Sequence, residues 1–142
     1  MAFRFVDDIA TADCAVEIEA DTLPDLFSEA GRSMIARMTD ISIVRSDCEW
    51  KIELEEENLE RLFYAWLSEL VFIKDSENAL FSEFAINDID INSIYRLTAK
   101  VKGEKINHAR HDIAVDIKAV TMHRFNIERE GDSWKAFVIF DL

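Results

Sequence analysis

Three glycines and one proline in 142 residues leave no room for a flexible linker or a low-complexity tract, and no repeat of solenoid period is present, so a single domain spanning residues 1–142 is expected. Two cysteines, Cys14 and Cys48, stand far apart without CxxC spacing, which excludes a disulfide framework or a thiolate zinc site and predicts two reduced, partly buried thiols. Lysine and arginine are scarce, 16 against 29 acids, giving a formal charge of −13 with the acids spread along the chain. Such a surface repels phosphate, so direct binding of nucleic acid or an anionic membrane is not expected, while a basic protein partner or a metal cation suits it. No apolar run is long enough to span a membrane, and the opening "MAFRFVDD" lacks the regions of a secretory leader, so a cytoplasmic location is expected.

What is abundant is apolar side chain, 49% of the residues with 11% aromatic, enough for a substantial core. Alternation from Asp13 to Glu19 predicts a half-buried strand. Thr22 then reads as the N-cap of a helix with Pro24 in its first turn and an apolar stripe through Leu23, Leu26, Phe27, Ala30, Met34 and Met38. Ile41 to Leu54 has strand texture broken by "RSDCE". Helical spacing resumes from Glu55 to Lys74, with Glu55 to Glu57 expected to complement the positive end of that helix. Strand texture follows over Leu80 to Ile86 and Ile91 to Val101, and Lys102-Gly103-Glu104 reads as a turn. A long segment then keeps one parity from Val115 to Ile127, and "REGDS" turns the chain into a last strand, Trp134 to Phe140. This order predicts an α+β fold, β-α-β-α followed by several strands, with two helices packed on a curved, mainly antiparallel sheet.

Residues with chemical potential are few. There is no GxSxG, no P-loop, and no histidine pair at HExxH spacing; His108, His111 and His123 read individually as structural. Asp13 sits on the polar face of a strand, where a solvated acid is the ordinary reading, and Lys118 lies in the apolar run "VDIKAVTM", where it can snorkel from a sheet edge. Asp141 differs in kind. It ends a strand whose face is otherwise apolar, beside Leu142, and a second strand end bearing an aspartate there would gather hard oxygens suited to Ca²⁺, Mg²⁺ or Mn²⁺ rather than Zn²⁺.

The stretches "TAD" (Thr11 to Asp13), "DTLPDLFSEAGRSM", "AWLSELVF", "FSEF", "IKAVTMH" (Ile117 to His123) and the closing "WKAFVIFDL" resemble archease, in archease order across nearly the whole chain. The resemblance implies an accessory protein of tRNA splicing, not itself an enzyme, whose partner is an RtcB-type RNA ligase. It implies promotion of the metal-dependent guanylylation of that ligase, multiple turnover, and an altered choice of nucleoside triphosphate. By match to the family pattern, Asp13, Asp141 and Leu142 are the metal ligands, with a divalent cation on oxygen, Ca²⁺ in crystals and Mg²⁺ or Mn²⁺ as alternatives. Lys118, His123 and His111 match further residues tied to ligase activation.

Two positions depart from the family pattern: Ala10 replaces a histidine before "TAD", within a stretch one residue longer, and Asn58 replaces an aspartate at the start of the second helix. Parity adds a constraint, since Lys118 and His123 point to opposite faces of an unbroken strand and join one site only across a bulge. Two competing classes are an acidic protein-binding or chaperone-like module with no ligase partner, and a metal-dependent hydrolase built on Asp13 and Asp141, for which the sequence offers no clear general base.

Overall fold

Thr22 lies in extended backbone and its Oγ1 accepts the Asp25 amide at 3.2 Å, so the first helix, α1 (Leu23–Met38), starts where its sequence predicts, with Pro24 in the first turn. The computed structural model describes residues 2–6 and 13–142; Ala10 and the longer stretch before Asp13 lie outside the described residues. The second helix, α2 (Leu59–Glu77), is capped by Asn58, whose Oδ1 accepts the Arg61 amide at 2.8 Å. Asparagine performs here the capping that an aspartate would, so this departure leaves the helix start intact.

Among the described residues seven strands complete the fold: β1 (Ala2–Val6), β2 (Asp13–Ala20), β3 (Cys48–Glu56), β4 (Ala79–Asp90), β5 (Tyr95–Lys105), β6 (Ala119–Glu130) and β7 (Ser133–Asp141). They form two antiparallel sheets, a four-stranded one in the order β1-β2-β7-β6 and a three-stranded one in the order β3-β5-β4. The α+β class with two helices is as expected, and the strands divide between two sheets. Fully buried Phe27, Met34, Phe63 and Trp66 from the helices join Ile18, Val138, Phe140, Phe81 and Val101 from the sheets in a continuous apolar core. The Trp66 indole N–H donates to the Phe27 carbonyl at 2.8 Å and so ties α2 to α1 within it.

Four local expectations are corrected. Ile41 opens a 3₁₀ turn (Ile41–Ile43), not a strand, because the Asp40 carboxylate accepts the Ser42 amide and caps the turn. Glu55 and Glu56 belong to β3, opposite Arg96 and Tyr95 of β5, so α2 begins at Leu59 with Glu60 as its first-turn acid. Lys102-Gly103-Glu104 is strand interior. A Cβ on Gly103 would stand 1.9 Å from the Leu80 carbonyl oxygen, so glycine marks a close backbone approach of the paired strand β4, next to the register shift between Phe81 and Glu83, and no turn. Residues Val115 to Lys118 precede β6 within an irregular connector, residues 106–118, whose later part from His111 to Lys118 keeps strand-like alternation of burial without a strand partner. β1, short and centred on Arg4, carried no sequence signal strong enough to be expected.

Candidate functional site

The four-stranded sheet sets the start of β2 against the end of β7. Asp13, first residue of β2, lies directly opposite Asp141, last residue of β7, so both side chains leave the same face of the sheet. Asp141 is flanked on its other side by Ala119, which opens β6 and contributes only a methyl group. Both aspartates are half-buried, and among the described residues neither carboxylate is hydrogen-bonded or ion-paired. Leu142 is half-buried against the core.

Lys118 reaches this end through its backbone. Its amide donates to the Asp141 carbonyl at 2.8 Å, one residue out of step with the Ala119–Asp141 register, and its side chain is exposed. The connector that delivers it is held along its length: the Ile106 amide donates to the Asn78 carbonyl, Thr39 Oγ1 donates to the Asp112 carbonyl at 2.9 Å, and the Ala114 amide donates to the Met38 carbonyl at 2.8 Å.

His111 belongs to that support. It is 2% exposed, and its Nδ1 accepts the Asn107 amide at 2.9 Å, so the ring proton sits on Nε2 and is donated to Glu104 Oε2 at 3.1 Å. Glu104 also accepts the Arg45 amide at 2.6 Å and pairs with the Arg110 guanidinium. Burial alone would push the Glu104 carboxyl up. The Arg45 amide, the His111 hydrogen bond and the charge of Arg110 outweigh it and hold the group below the ordinary glutamate range. None of His111's hydrogen-bond partners is Asp13, Lys118 or Asp141.

His123 is exposed and falls in a break of register. Thr121 opposes Ile139 and Asn126 opposes Phe137, so Met122, His123, Arg124 and Phe125 stand against Val138 alone. Arg124 takes the left-handed backbone conformation there, φ 55°, with its guanidinium 4.8 Å above the Phe137 ring. The bulge on which a shared face for Lys118 and His123 depended is therefore present, and strand parity no longer separates them.

Two carboxylates set opposite each other on adjacent strands repel, and a hard divalent cation relieves that repulsion. The donor set fits Ca²⁺, Mg²⁺ or Mn²⁺ on chemical grounds. It is sparse, because no group of three or more histidine, cysteine, aspartate or glutamate residues gathers in a metal-binding arrangement among the described residues. A cation here would draw its remaining ligands from main-chain oxygen or water.

The model of the Archease protein family matches residues 3–142. The chain belongs to the archease family. It is 37% identical over 142 residues to the archease of Methanothermobacter thermautotrophicus, with 99% of this chain and 98% of that one covered. To the archease of Methanopyrus kandleri it is 33% identical over 132 residues, covering 93% and 94%. Among solved structures, it superposes on the solution structure of Methanobacterium thermoautotrophicum protein 1598 with a TM-score of 0.86, 37% identity and 99% of each chain covered. A crystal structure from Thermotoga maritima, described as an archease and possible chaperone, shares the fold at a TM-score of 0.60 and 23% identity, with 98% of each chain covered.

Of the residues singled out from the archease resemblance, the fold gathers Asp13, Asp141, Leu142 and the backbone of Lys118 at one sheet end. His111 is buried in the connector's anchorage, and His123 is exposed on the β6 bulge. Sequence reading passed over Lys74 and Asp116, an ion pair at 2.8 Å under the connector. The signal was available: Lys74 continues the Trp66, Leu70 spacing of the buried stripe of α2, where a charge is out of place.

Proposed function

We propose that this protein activates an RtcB-type RNA ligase in the cytoplasm, promoting the metal-dependent guanylylation of the ligase, supporting its repeated turnover and widening its choice of nucleoside triphosphate. The observation that carries the reading is the Asp13–Asp141 pair at the end of the four-stranded sheet with the Lys118 amide bonded to the same residue. Asp13 and Asp141, with Leu142 beside them, would hold a divalent cation, which supplies positive charge where triphosphate oxygens accumulate negative charge. Lys118, exposed next to that pair, offers a mobile ammonium to the same oxygens. The surrounding charge of −13 steers the protein toward a basic, RNA-binding ligase rather than toward RNA itself. Among the described residues, no helix is long and apolar enough to cross a membrane.

The test is guanylylation of an RtcB-type ligase from the same source at limiting ligase, with GTP and Mn²⁺, with and without this protein. Faster labelling and repeated turnover are expected, abolished in Asp13→Ala and in Lys118→Ala while both variants stay folded. No stimulation by the wild-type protein refutes the reading. Asp13→Ala losing activation only in proportion to its loss of fold would reduce that residue to a structural one.

A second reading, a chaperone-like module that holds exposed apolar segments of other proteins, draws on Phe72 and Met122, 63% and 54% exposed, and on the wording attached to the Thermotoga maritima protein. It predicts suppression of aggregation of a denatured client that is indifferent to chelator and to Asp13→Ala.

A further inference from the structure

Lys74 lies in the last turn of α2 and is 2% exposed. An ammonium taken from water this far must be paired, and its Nζ donates to Asp75 Oδ1 at 2.5 Å and to Asp116 Oδ1 at 2.8 Å, both on half-exposed side chains. The bond to Asp75 stays within its own helix. Asp116 comes from the irregular connector, two residues before Lys118. The residue between them, Ile117, is fully buried, and the Lys118 amide is bonded to the Asp141 carbonyl. Three consecutive residues are thus fixed by three different elements: Asp116 by α2, Ile117 by the core, and Lys118 by the end of β7.

A cation near the C-terminus of a helix complements its dipole, which accounts for a lysine in this turn but not for its burial under a connector. Stability alone does not account for it either. A buried ion pair is commonly no more stabilising than an apolar side chain of similar volume, and a methionine would fill the position without tying down an aspartate. We infer that Lys74 and Asp116 are positioning residues, a clamp that fixes the connector immediately before Lys118 and so sets where the Lys118 side chain leaves the Asp13–Asp141 end. The functional half rests on the ligase-activator reading above, whereas the clamping of the connector is independent of any partner.

The experiment compares full-length wild type with Asp116→Ala, Asp116→Asn and Lys74→Met. Hydrogen exchange at the Lys118 amide reads the clamp without a ligase. Exchange about tenfold faster is expected in Asp116→Ala and in Lys74→Met, while Asp116→Asn, whose side-chain oxygen still accepts from Lys74, stays near wild type. Lys74→Met preserves apolar volume in the core and keeps the test available if Asp116→Ala folds poorly. In the guanylylation assay, Asp116→Ala should lower the maximal rate about fivefold or more while the half-saturating concentration of activator stays put, and Asp116→Asn should restore it. Unchanged exchange at Lys118 in both disruptive variants overturns the inference. So does a defect that appears only as weaker half-saturation, or one that Asp116→Asn fails to rescue. If the wild-type protein does not stimulate the ligase, the activator reading falls, and the exchange data still decide the clamp.

Discussion

Replacing Asp141 by asparagine should give a protein more stable than wild type in chelator and less stable than wild type with a divalent cation. In the metal-free state Asp13 and Asp141 oppose each other across a strand pair, and among the described residues neither carboxylate is ion-paired. Like charges placed this way destabilise a sheet by about 0.2–1 kcal/mol. Asparagine has nearly the same shape and removes one of the two charges, so in chelator the variant should melt about 0.4–4 °C above wild type, taking about 2–4 °C per kcal/mol for a chain of this size. With a divalent cation at about a hundred times its dissociation constant, wild type gains about 2.7 kcal/mol, or roughly 5–10 °C, because only the folded state presents both carboxylates. The variant lacks half of the charged pair and gains far less, so the order of the two melting points reverses. Calorimetric scans of both proteins in EDTA and in millimolar Mn²⁺ or Ca²⁺ make the comparison. A wild-type melting point indifferent to divalent cations, together with an Asp141→Asn variant no more stable than wild type in EDTA, would sink both the repulsion and the cation site.

Three further outcomes follow from the same geometry. Gly103→Ala should cost about 2–4 kcal/mol in denaturant unfolding, because its Cβ would fall 1.9 Å from the Leu80 carbonyl oxygen and the two strands must part; a cost below about 0.5 kcal/mol would contradict the close approach of the paired strands β4 and β5. His111→Ala should cost about 2–3 kcal/mol, since it strands the Asn107 amide and removes a donor from Glu104, with ligase activation falling only as the folded fraction falls. Activation lost at unchanged stability would instead assign His111 to the ligase contact. Glu104 is held below the ordinary glutamate value of about 4.3, so its contribution is present above that pH and disappears as pH falls through the lower folded-state value. Glu104→Gln should therefore show a shallower loss of stability than wild type below about pH 4.3, and parallel acid-unfolding curves would count against the network.

The cap made the start of α1 readable in the sequence, whereas the acids ahead of Asn58 masked the cap of α2. Thr22 with Pro24 placed the start of α1, whereas Glu55 to Glu57 drew the second helix several residues too early, because acids suit the first turn of a helix and the outward face of a strand equally well. Alternation from Val115 to Ile117 was read as strand. The burial does alternate, but with no strand to pair with, these residues form a strap fixed by Met38, Thr39 and Lys74. Periodicity reports which side chains face the core and is silent on whether the backbone has a partner. Nothing in "TMHRFN" announces the β6 bulge either, since its left-handed residue is Arg124 and not a glycine or asparagine. The Asp13–Asp141 pairing needed β2 beside β7, a contact between opposite ends of the chain that no local pattern encodes and that only the family resemblance anticipated.

The placement of positive charge bears on whether this sheet end could take a cation or is closed by an internal salt bridge. Of the 16 lysines and arginines, Arg4, Arg32, Lys74, Arg96, Lys105, Arg110 and Lys135 form ion pairs with acids, as expected where acids are in such excess. Lys118 stands beside Asp141 in the fold, and among the described residues its ammonium pairs with neither Asp141 nor Asp13. Had Lys118 neutralised the two aspartates, the sheet end would be closed electrostatically and would have nothing left for a cation. Its backbone is instead tied to Asp141 while its side chain is exposed, which under the proposed function leaves the carboxylates to a metal and the ammonium to a partner's phosphate oxygens. A double-mutant cycle tests this division directly: in EDTA the stability effects of Lys118→Ala and Asp141→Asn, each alone and combined, should add to within about 0.5 kcal/mol. A larger non-additive term would mean that lysine and aspartate already neutralise each other, and the cation would lose its place.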